Sequence, residues 1–335
     1  MDVHELDPRD DRAFTAWYAV VDAVHRELWP GVPGPSRDGL RAEVLAEHTG
    51  EPATCLAATD ATGTVVGSVS LGAPRLDNTH LVTAELYVHP AHRRRGAGRA
   101  LLAAVEKRAA DAGRTVVLVR QEESHRHVVP SPHRDFALAH GYALAQRDLR
   151  SDLAVPVESV RLLALESACA VRARGYGAVT WTGPCPDVYA EDRAALSRCI
   201  SADIPLGDLD VEPEAWDVDR VRRREDQHAA EGRLVLSAGA VHRDTGRLVA
   251  YTELHVPHAE PERAYQWDTV VLPEHRGHRL GTVVKIANLR RLATVSPATS
   301  TVTTCNAEDN RYMIAVNAAL GFTVVGASLE WQKRL

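Results

Sequence analysis

Lysine is nearly missing from this chain. Only Lys107, Lys285 and Lys333 occur in 335 residues, so almost all of the 39 basic side chains are arginine. Against them stand 45 acidic residues, a formal charge of −6 and a pI near 6.2. That balance argues against a nucleic-acid backbone as the main partner, which a basic surface would have to hold. A mildly negative body favours a cationic or neutral substrate instead. Cysteine is scarce and odd in number. Cys55, Cys169, Cys185, Cys199 and Cys305 include no CxxC pair, which excludes a disulfide framework and fits reduced thiols. No apolar run approaches membrane-spanning length, and the acidic start MDVHELDPRDDR lacks the basic-then-apolar order of a secretion signal. A cytoplasmic protein with no membrane partner, monomeric or homodimeric, is therefore expected. The 45% hydrophobic content is ordinary for globular chains, and the length suits two domains. The excess of arginine, alanine and valine suggests a high-GC bacterial source.

What is present is a duplication. Val88-His-Pro90-Ala-His92-Arg93 returns as Val271-Leu-Pro273-Glu-His275-Arg276, an offset of 183 (271 − 88). Thr62-Gly63 and Thr245-Gly246 keep the same offset (245 − 62 = 183), and Gly141-Tyr142 answers to Gly321-Phe322 at 180 (321 − 141). Landmarks in register over so long a period mean two related domains in tandem, not a solenoid. The boundaries read as 1–152 and 176–335, with 153–175 as connection.

The periodicity predicts helices over 10–28 and 36–47, with Ser36 as N-cap and Gly50 as a stop. A hairpin at 55–71, a strand at 81–88, a helix at 96–112 and a strand from 116 follow, then a further helix and strand. The second half repeats this with helices at 188–200 and 218–230, strands at 234–241, 248–256 and 265–272, a helix at 279–292, a strand at 301–305, a helix at 310–320 and a last strand. Between them, 157–174 reads as a packing helix resting on Val160, Leu163, Leu165 and Cys169. The run at 220–226 reads as the solvated face of a helix.

A strand that stops at a proline and releases a glycine-containing helix start leaves backbone N–H groups free, with room for an anion to approach. A P-loop needs Gly-Lys-Ser/Thr, and neither copy has that lysine. A dinucleotide fingerprint needs a third glycine where Ala100 or Leu101 stands. The pyrophosphate loop of acyl-CoA-dependent acyltransferases remains.

Both loops resemble the signature of the GNAT superfamily of N-acetyltransferases, Arg/Gln-x-x-Gly/Ala-x-Gly/Ala. The first copy reads Arg93-Arg94-Arg95-Gly96-Ala97-Gly98; the second reads Arg276-Gly277-His278-Arg279-Leu280-Gly281, with Arg279 where a glycine is expected. The stretch Asn310 to Phe322 resembles the family's last helix. The two-domain plan is similar to that of mycothiol synthases and of tandem proteins associated with actinobacteria. The resemblance implies an α/β (α+β) fold of two units, each a mixed, mostly antiparallel sheet of six or seven strands flanked by helices and splayed between its fourth and fifth strands. It implies acetyl-CoA as cofactor, a small-molecule amine as acceptor and direct transfer in a ternary complex. A non-catalytic acyl-CoA-binding protein and a mycothiol-synthase-like enzyme are the alternatives.

The implied cofactor contacts are Tyr87, Val88, Arg93, Arg94, Arg95, Gly96, Ala97, Gly98 and Arg99 in the first copy. In the second they are Val270, Val271, Arg276, Gly277, His278, Arg279, Leu280, Gly281 and Thr282, with Asn306 and Asn310 near the pantetheine arm. Asn317 stands where many relatives place a tyrosine acid, and Ala137 holds that place in the first copy. Glu85 and Asp268 share one position (268 − 85 = 183) and are the candidate general bases, with Trp267 expected to shield Asp268 and raise its pKa. His92 and His275 are expected to shape the loops. His125, His127 and His133 lie together without a partner at metal-ligand spacing, so substrate contact is the better expectation and no metal is expected. Cys305 is expected to be a packing residue and not a nucleophile.

Overall fold

The computed structural model describes residues 1–46, 53–125, 132–203 and 205–335. Along the chain lie β1 (Asp2–Leu6), α1 (Asp11–Leu28), α2 (Arg37–Leu45), β2 (Ala53–Thr59), β3 (Val65–Gly72), β4 (Leu81–Val88), α3 (Ala97–Asp111), β5 (Val116–Ser124), α4 (Pro132–Ala139) and β6 (Ala143–Ala154). There follow α5 (Ser159–Ala170), β7 (Tyr176–Thr182), α6 (Ala190–Asp203), α7 (Val218–Ala230), β8 (Arg233–His242), β9 (Leu248–Pro257), β10 (Arg263–Val271), α8 (Leu280–Val295), β11 (Thr301–Ala307), α9 (Arg311–Leu320) and β12 (Thr323–Arg334). Gly50 and His127 lie outside the described residues. No described helix is long and apolar enough to cross a membrane.

Two compact units result, and neither is contiguous in sequence. The first comprises Met1–Asp148, Leu206–Glu212 and Val325–Leu335; the second comprises Leu149–Pro205 and Pro213–Val324. This differs from the contiguous halves 1–152 and 176–335 because two late segments complete the first unit. Gly326–Arg334 of β12 runs antiparallel to β5 over nine residue pairs, so the strands of this unit follow the order β1-β2-β3-β4-β5-β12. Leu209 and Val211 pack on Leu81, Val116 and Leu118, while Asn78 exchanges hydrogen bonds with the backbone of Glu212 at 2.6 and 3.2 Å.

In the first unit strand alternation assigns the layers. Cys55 and Ala57 meet α1 through Phe14, Trp17 and Val21, whereas Leu56 and Ala58 meet α3 through Leu101, Leu102 and Val105. Asp10 caps α1 by accepting from the Arg12 and Ala13 amides, and Trp17 donates to the Leu56 carbonyl at 2.9 Å. Ser36 caps α2 as expected.

The second unit's sheet runs β6-β11-β10-β9-β8-β7. Arg193 of α6 lies over the Tyr251 ring on one face of β9, and Leu254 joins Ile286 and Leu289 of α8 on the other. In each unit one central pair is parallel, β4 with β5 and β10 with β11, while β1 with β2, β2 with β3, β3 with β4, β5 with β12, β7 with β8, β8 with β9 and β9 with β10 are antiparallel.

Two edge strands, β1 and β7, go beyond the sequence reading. Both are short and largely exposed, so their apolar alternation is faint. The connecting helix packs in part as expected: Cys169 is buried and Leu165 rests on the core, but Leu162 joins them in place of Val160 and Leu163, which are 71% and 56% exposed. The arginine run on α7 is not wholly solvated either, since Arg220 is buried against Trp216 and pairs with Glu214 at 3.1 Å.

Candidate active site

Each phosphate-type loop follows its strand through a single 3-10 turn, Pro90–His92 or Pro273–His275. Both then pass through two left-handed residues. In the first copy these are Arg94 (φ 62°) and Gly96 (φ 93°); in the second, Gly277 (φ 83°) and Arg279 (φ 59°). The backbone path is therefore kept and only the glycine has changed place, so Arg279 is no break in the motif. An arginine in that region costs about 1–2 kcal/mol. The helices α3 and α8 start with no side-chain cap, while Asp10, Ser36, Asp217 and Asn310 cap α1, α2, α7 and α9. Uncapped first-turn N–H groups, at Ala97, Gly98 and Arg99 and at Leu280 and Gly281, suit an anion.

Beside each loop the sheet opens. Parallel pairing of β4 with β5 ends at Glu85↔Arg120, and that of β10 with β11 at Tyr265↔Thr303. Past these rungs the edges of β4 at Tyr87 and Val88, and of β10 at Val270 and Val271, run on without pairing to β5 or β11, which leaves a wedge in the sheet. The two wedges differ. A Cβ on Gly98 would stand 3.3 Å from the Phe136 ring and 3.6 Å from Val88, whereas on Gly281 the nearest atom would be Thr269 Cγ2 at 3.9 Å.

The paired acids differ as well. Glu85 is tied to Arg120 at 3.6 Å and accepts from the half-buried Tyr87 hydroxyl at 3.0 Å; Arg120 also holds Glu330 at 2.7 Å. Asp268 sits on a bulge, where three steps of β10 between Gln266 and Thr269 oppose two of β9. Bulges re-aim side chains. Here Trp267 and Asp268 both meet the β9 face that carries Tyr251 and His255, Asp268 accepting from the Tyr251 hydroxyl at 2.7 Å and Trp267 stacking on His255 at 4.9 Å. Burial, then the Glu253 carboxylate, raises the Asp268 pKa against the opposing pull of Arg193 and the Tyr251 hydrogen bond. Trp267 is 46% exposed and spends its ring on His255, so it is not the shield expected. For Glu253 burial is the largest influence and acts upward, but Arg193 at 2.9 Å and His255 outweigh it and the pKa falls. Two neighbouring carboxylates thus have their proton affinities pushed apart, the pattern that separates acid from base in an active site.

These features meet their counterparts in known proteins. The profile of the Acetyltransferase (GNAT) family matches residues 21–128 and again 205–322. The chain belongs to the GNAT acetyltransferase family. Its fold is similar, with a TM-score of 0.80 and 29% identity over 99% of this chain and 98% of the other, to a tandem GNAT protein from the clavulanic acid biosynthesis pathway. A GCN5-related N-acetyltransferase from Sphaerobacter thermophilus shares the fold at a TM-score of 0.68 and 14% identity, over 99% and 95% of the two chains. The mycothiol acetyltransferase of Stackebrandtia nassauensis is 48% identical over 86 residues, which span 23% of this chain and only 26% of that relative.

Within the GNAT loops several candidate contacts have other duties. Arg93 donates to the Val88 carbonyl at 3.3 Å and grips Glu27 with both terminal nitrogens, at 3.0 and 2.5 Å. Arg276 donates to the Val271 carbonyl at 3.3 Å and pairs with Asp203. These arginines shape the loops; Arg94, Arg95 and Arg99 are exposed and show no ion pair among the described residues. His275 accepts or donates at 3.0 Å to Tyr176, and His278 meets the Arg172 carbonyl at 2.9 Å. Asn310 caps α9 through its side-chain oxygen at 3.1 Å from the Met313 amide, and Thr282 is buried. His125 and His133 are exposed, and among the described residues no three His, Cys, Asp or Glu gather as metal ligands. Cys305 is exposed, not a packing thiol.

Sequence reasoning missed a buried lysine. Lys285 of α8 is 1% exposed and donates to Asn317 Oδ1 at 2.9 Å, while Asn317 Nδ2 donates to Asn306 Oδ1 at 2.7 Å. Its signal was the one lysine in a helix with buried residues on nearly every side. Burial lowers its pKa from 10.5 to about 7. Below pH 7 both folded and unfolded chains hold the proton and the full cost of burying it remains. Between about 7 and 10.5 the unfolded chain binds more protons, so stability should rise with pH, by up to about 5 kcal/mol across the window. Denaturant unfolding at stepped pH checks this: Lys285→Met should lose that part of the slope, and an unchanged slope would contradict it.

Proposed function

We propose that the protein is an acetyl-CoA-dependent N-acetyltransferase that acetylates the amine of a small molecule by direct attack, and that the second unit performs the transfer. Asp268 carries this reading: a carboxylate of raised proton affinity on the bulge of β10, just past the last rung that β10 shares with β11 and on the strand that leads to an uncapped helix start. Acetyl-CoA supplies an activated acetyl thioester. The first-turn amides of Leu280 and Gly281 suit its pyrophosphate, and the free edge of β10 suits its pantetheine arm. Asp268 takes one proton from the substrate ammonium, directly or through water, and the lone pair so freed forms the new C–N bond to the thioester carbon. A backbone N–H near Val271 stabilises the carbonyl oxygen as charge gathers there. The C–S bond then breaks, the departing thiolate takes up the second proton of the nitrogen and leaves as the CoA thiol, and the amide remains.

The first unit is read as cofactor-holding or structural, because Phe136 closes on Gly98 and Glu85 is held by Arg120. A mycothiol-type acceptor is the second reading, supported by the 86-residue match. Acetyl-CoA at a hundred times its dissociation constant should stabilise the fold by about 2.7 kcal/mol. Thiol release with a panel of amines, a mycothiol-type amine among them, then tests transfer. Stabilisation without thiol release from any amine would favour a binding protein; no stabilisation at millimolar acetyl-CoA would remove the reading altogether.

A further inference from the structure

We propose that Lys285 is a positioning residue of the second unit, whose ammonium fixes the sense of the Asn317 and Asn306 amides so that Asn306 offers an N–H donor to acyl-CoA in the wedge between β10 and β11. The proposal rests on the reading of that wedge as the acyl-CoA site.

An ammonium has three N–H donors and no lone pair, so the Asn317 atom it meets at 2.9 Å must be the oxygen. The other end of that amide is then N–H, and the Asn306 atom it meets at 2.7 Å must in turn be oxygen. Asn306 is left with its NH₂ without a hydrogen-bond partner among the described residues. Asn306 lies on β11 beyond Thr303, the last residue paired with β10, and is part-exposed where Asn317 and Lys285 are buried. The chain of three therefore runs from the interior to the wedge, and its inner end decides what its outer end presents. An amide alone could turn either way. Lys285 faces no carboxylate within ion-pair distance among the described residues, and the Phe322 ring lies 5.7 Å from its ammonium. A buried cation without a counter-ion is expensive, which gives a positioning duty more weight than a packing one.

Calorimetric titration of acetyl-CoA at pH 6, where the ammonium form prevails, tests this without depending on turnover. Lys285→Met keeps the length and removes the donor. It should leave the melting temperature equal or higher yet weaken acetyl-CoA binding about tenfold, the worth of one hydrogen bond. Asn306→Asp, which has no N–H to offer, should weaken it at least as much. The double variant Lys285→Met with Asn306→Ala should bind no worse than Asn306→Ala alone. Unchanged affinity in Lys285→Met, or losses that simply add in the double variant, would overturn the proposal. If Lys285→Met fails to fold, Asn306→Ala and Asn306→Asp with wild-type affinity would overturn it equally. A wild-type protein that binds no acetyl-CoA would instead remove the underlying functional reading.

Discussion

Replacing Asp268 by Asn is expected to lower turnover by about 10²–10⁴-fold, the usual contribution of a positioned general base, with little change in acetyl-CoA affinity. The amide keeps the shape and can still accept from the Tyr251 hydroxyl, which approaches at 2.7 Å. It cannot take a proton. Because burial and Glu253 raise the Asp268 pKa, the wild-type rate should fall on the acid side at a higher pH than an ordinary carboxylate would give. That acid limb should vanish in the residual activity of the variant. Glu85→Gln should be nearly silent, since Glu85 is committed to Arg120 and Tyr87. Steady-state rates over a pH series distinguish the units: a silent Asp268→Asn beside a crippled Glu85→Gln would move the chemistry to the first unit.

The legible parts of this protein were those that sequence writes locally. Two copies at an offset of 183 located both loops, although the signature marked Arg279 as a departure where the backbone keeps the same left-handed turn as at Gly96. Period-2 and period-3.6 runs found β4 and α7 to the residue. What stayed hidden depends on distant partners. Nothing in the run from Gly326 onward marks it as the strand beside β5. Arg193 and Glu253 are sixty positions apart, and their ion pair is what holds one carboxylate ionised next to another of raised affinity. Trp267 was misread because a bulge, unlike a regular strand, lets adjacent residues share a face. Lys285 was missed for a different reason: lysine is almost never fully buried, so its place in an apolar helix drew no notice until the structure showed an interior hydrogen-bond chain.

Gly281→Glu should weaken acetyl-CoA binding to the second unit on the order of 100-fold or more, the scale of a like-charge clash of several kcal/mol. The fold should survive the change, because a Cβ at Gly281 would make only an ordinary van der Waals contact, with Thr269 Cγ2 at 3.9 Å as its nearest neighbour. A carboxylate there also lies in the first turn of α8, where the helix dipole favours negative charge. It would therefore fill the anion site without destabilising the helix that forms it. Gly98→Glu meets the Phe136 ring at 3.3 Å and should cost some stability in the first unit. If both loops bind, calorimetric stoichiometry should fall by one site in each variant; if Phe136 already closes the first, only Gly281→Glu should remove binding. Wild-type affinity and stoichiometry in a well-folded Gly281→Glu would mean that the start of α8 is not a phosphate site, and the assignment of the chemistry to the second unit would fail with it.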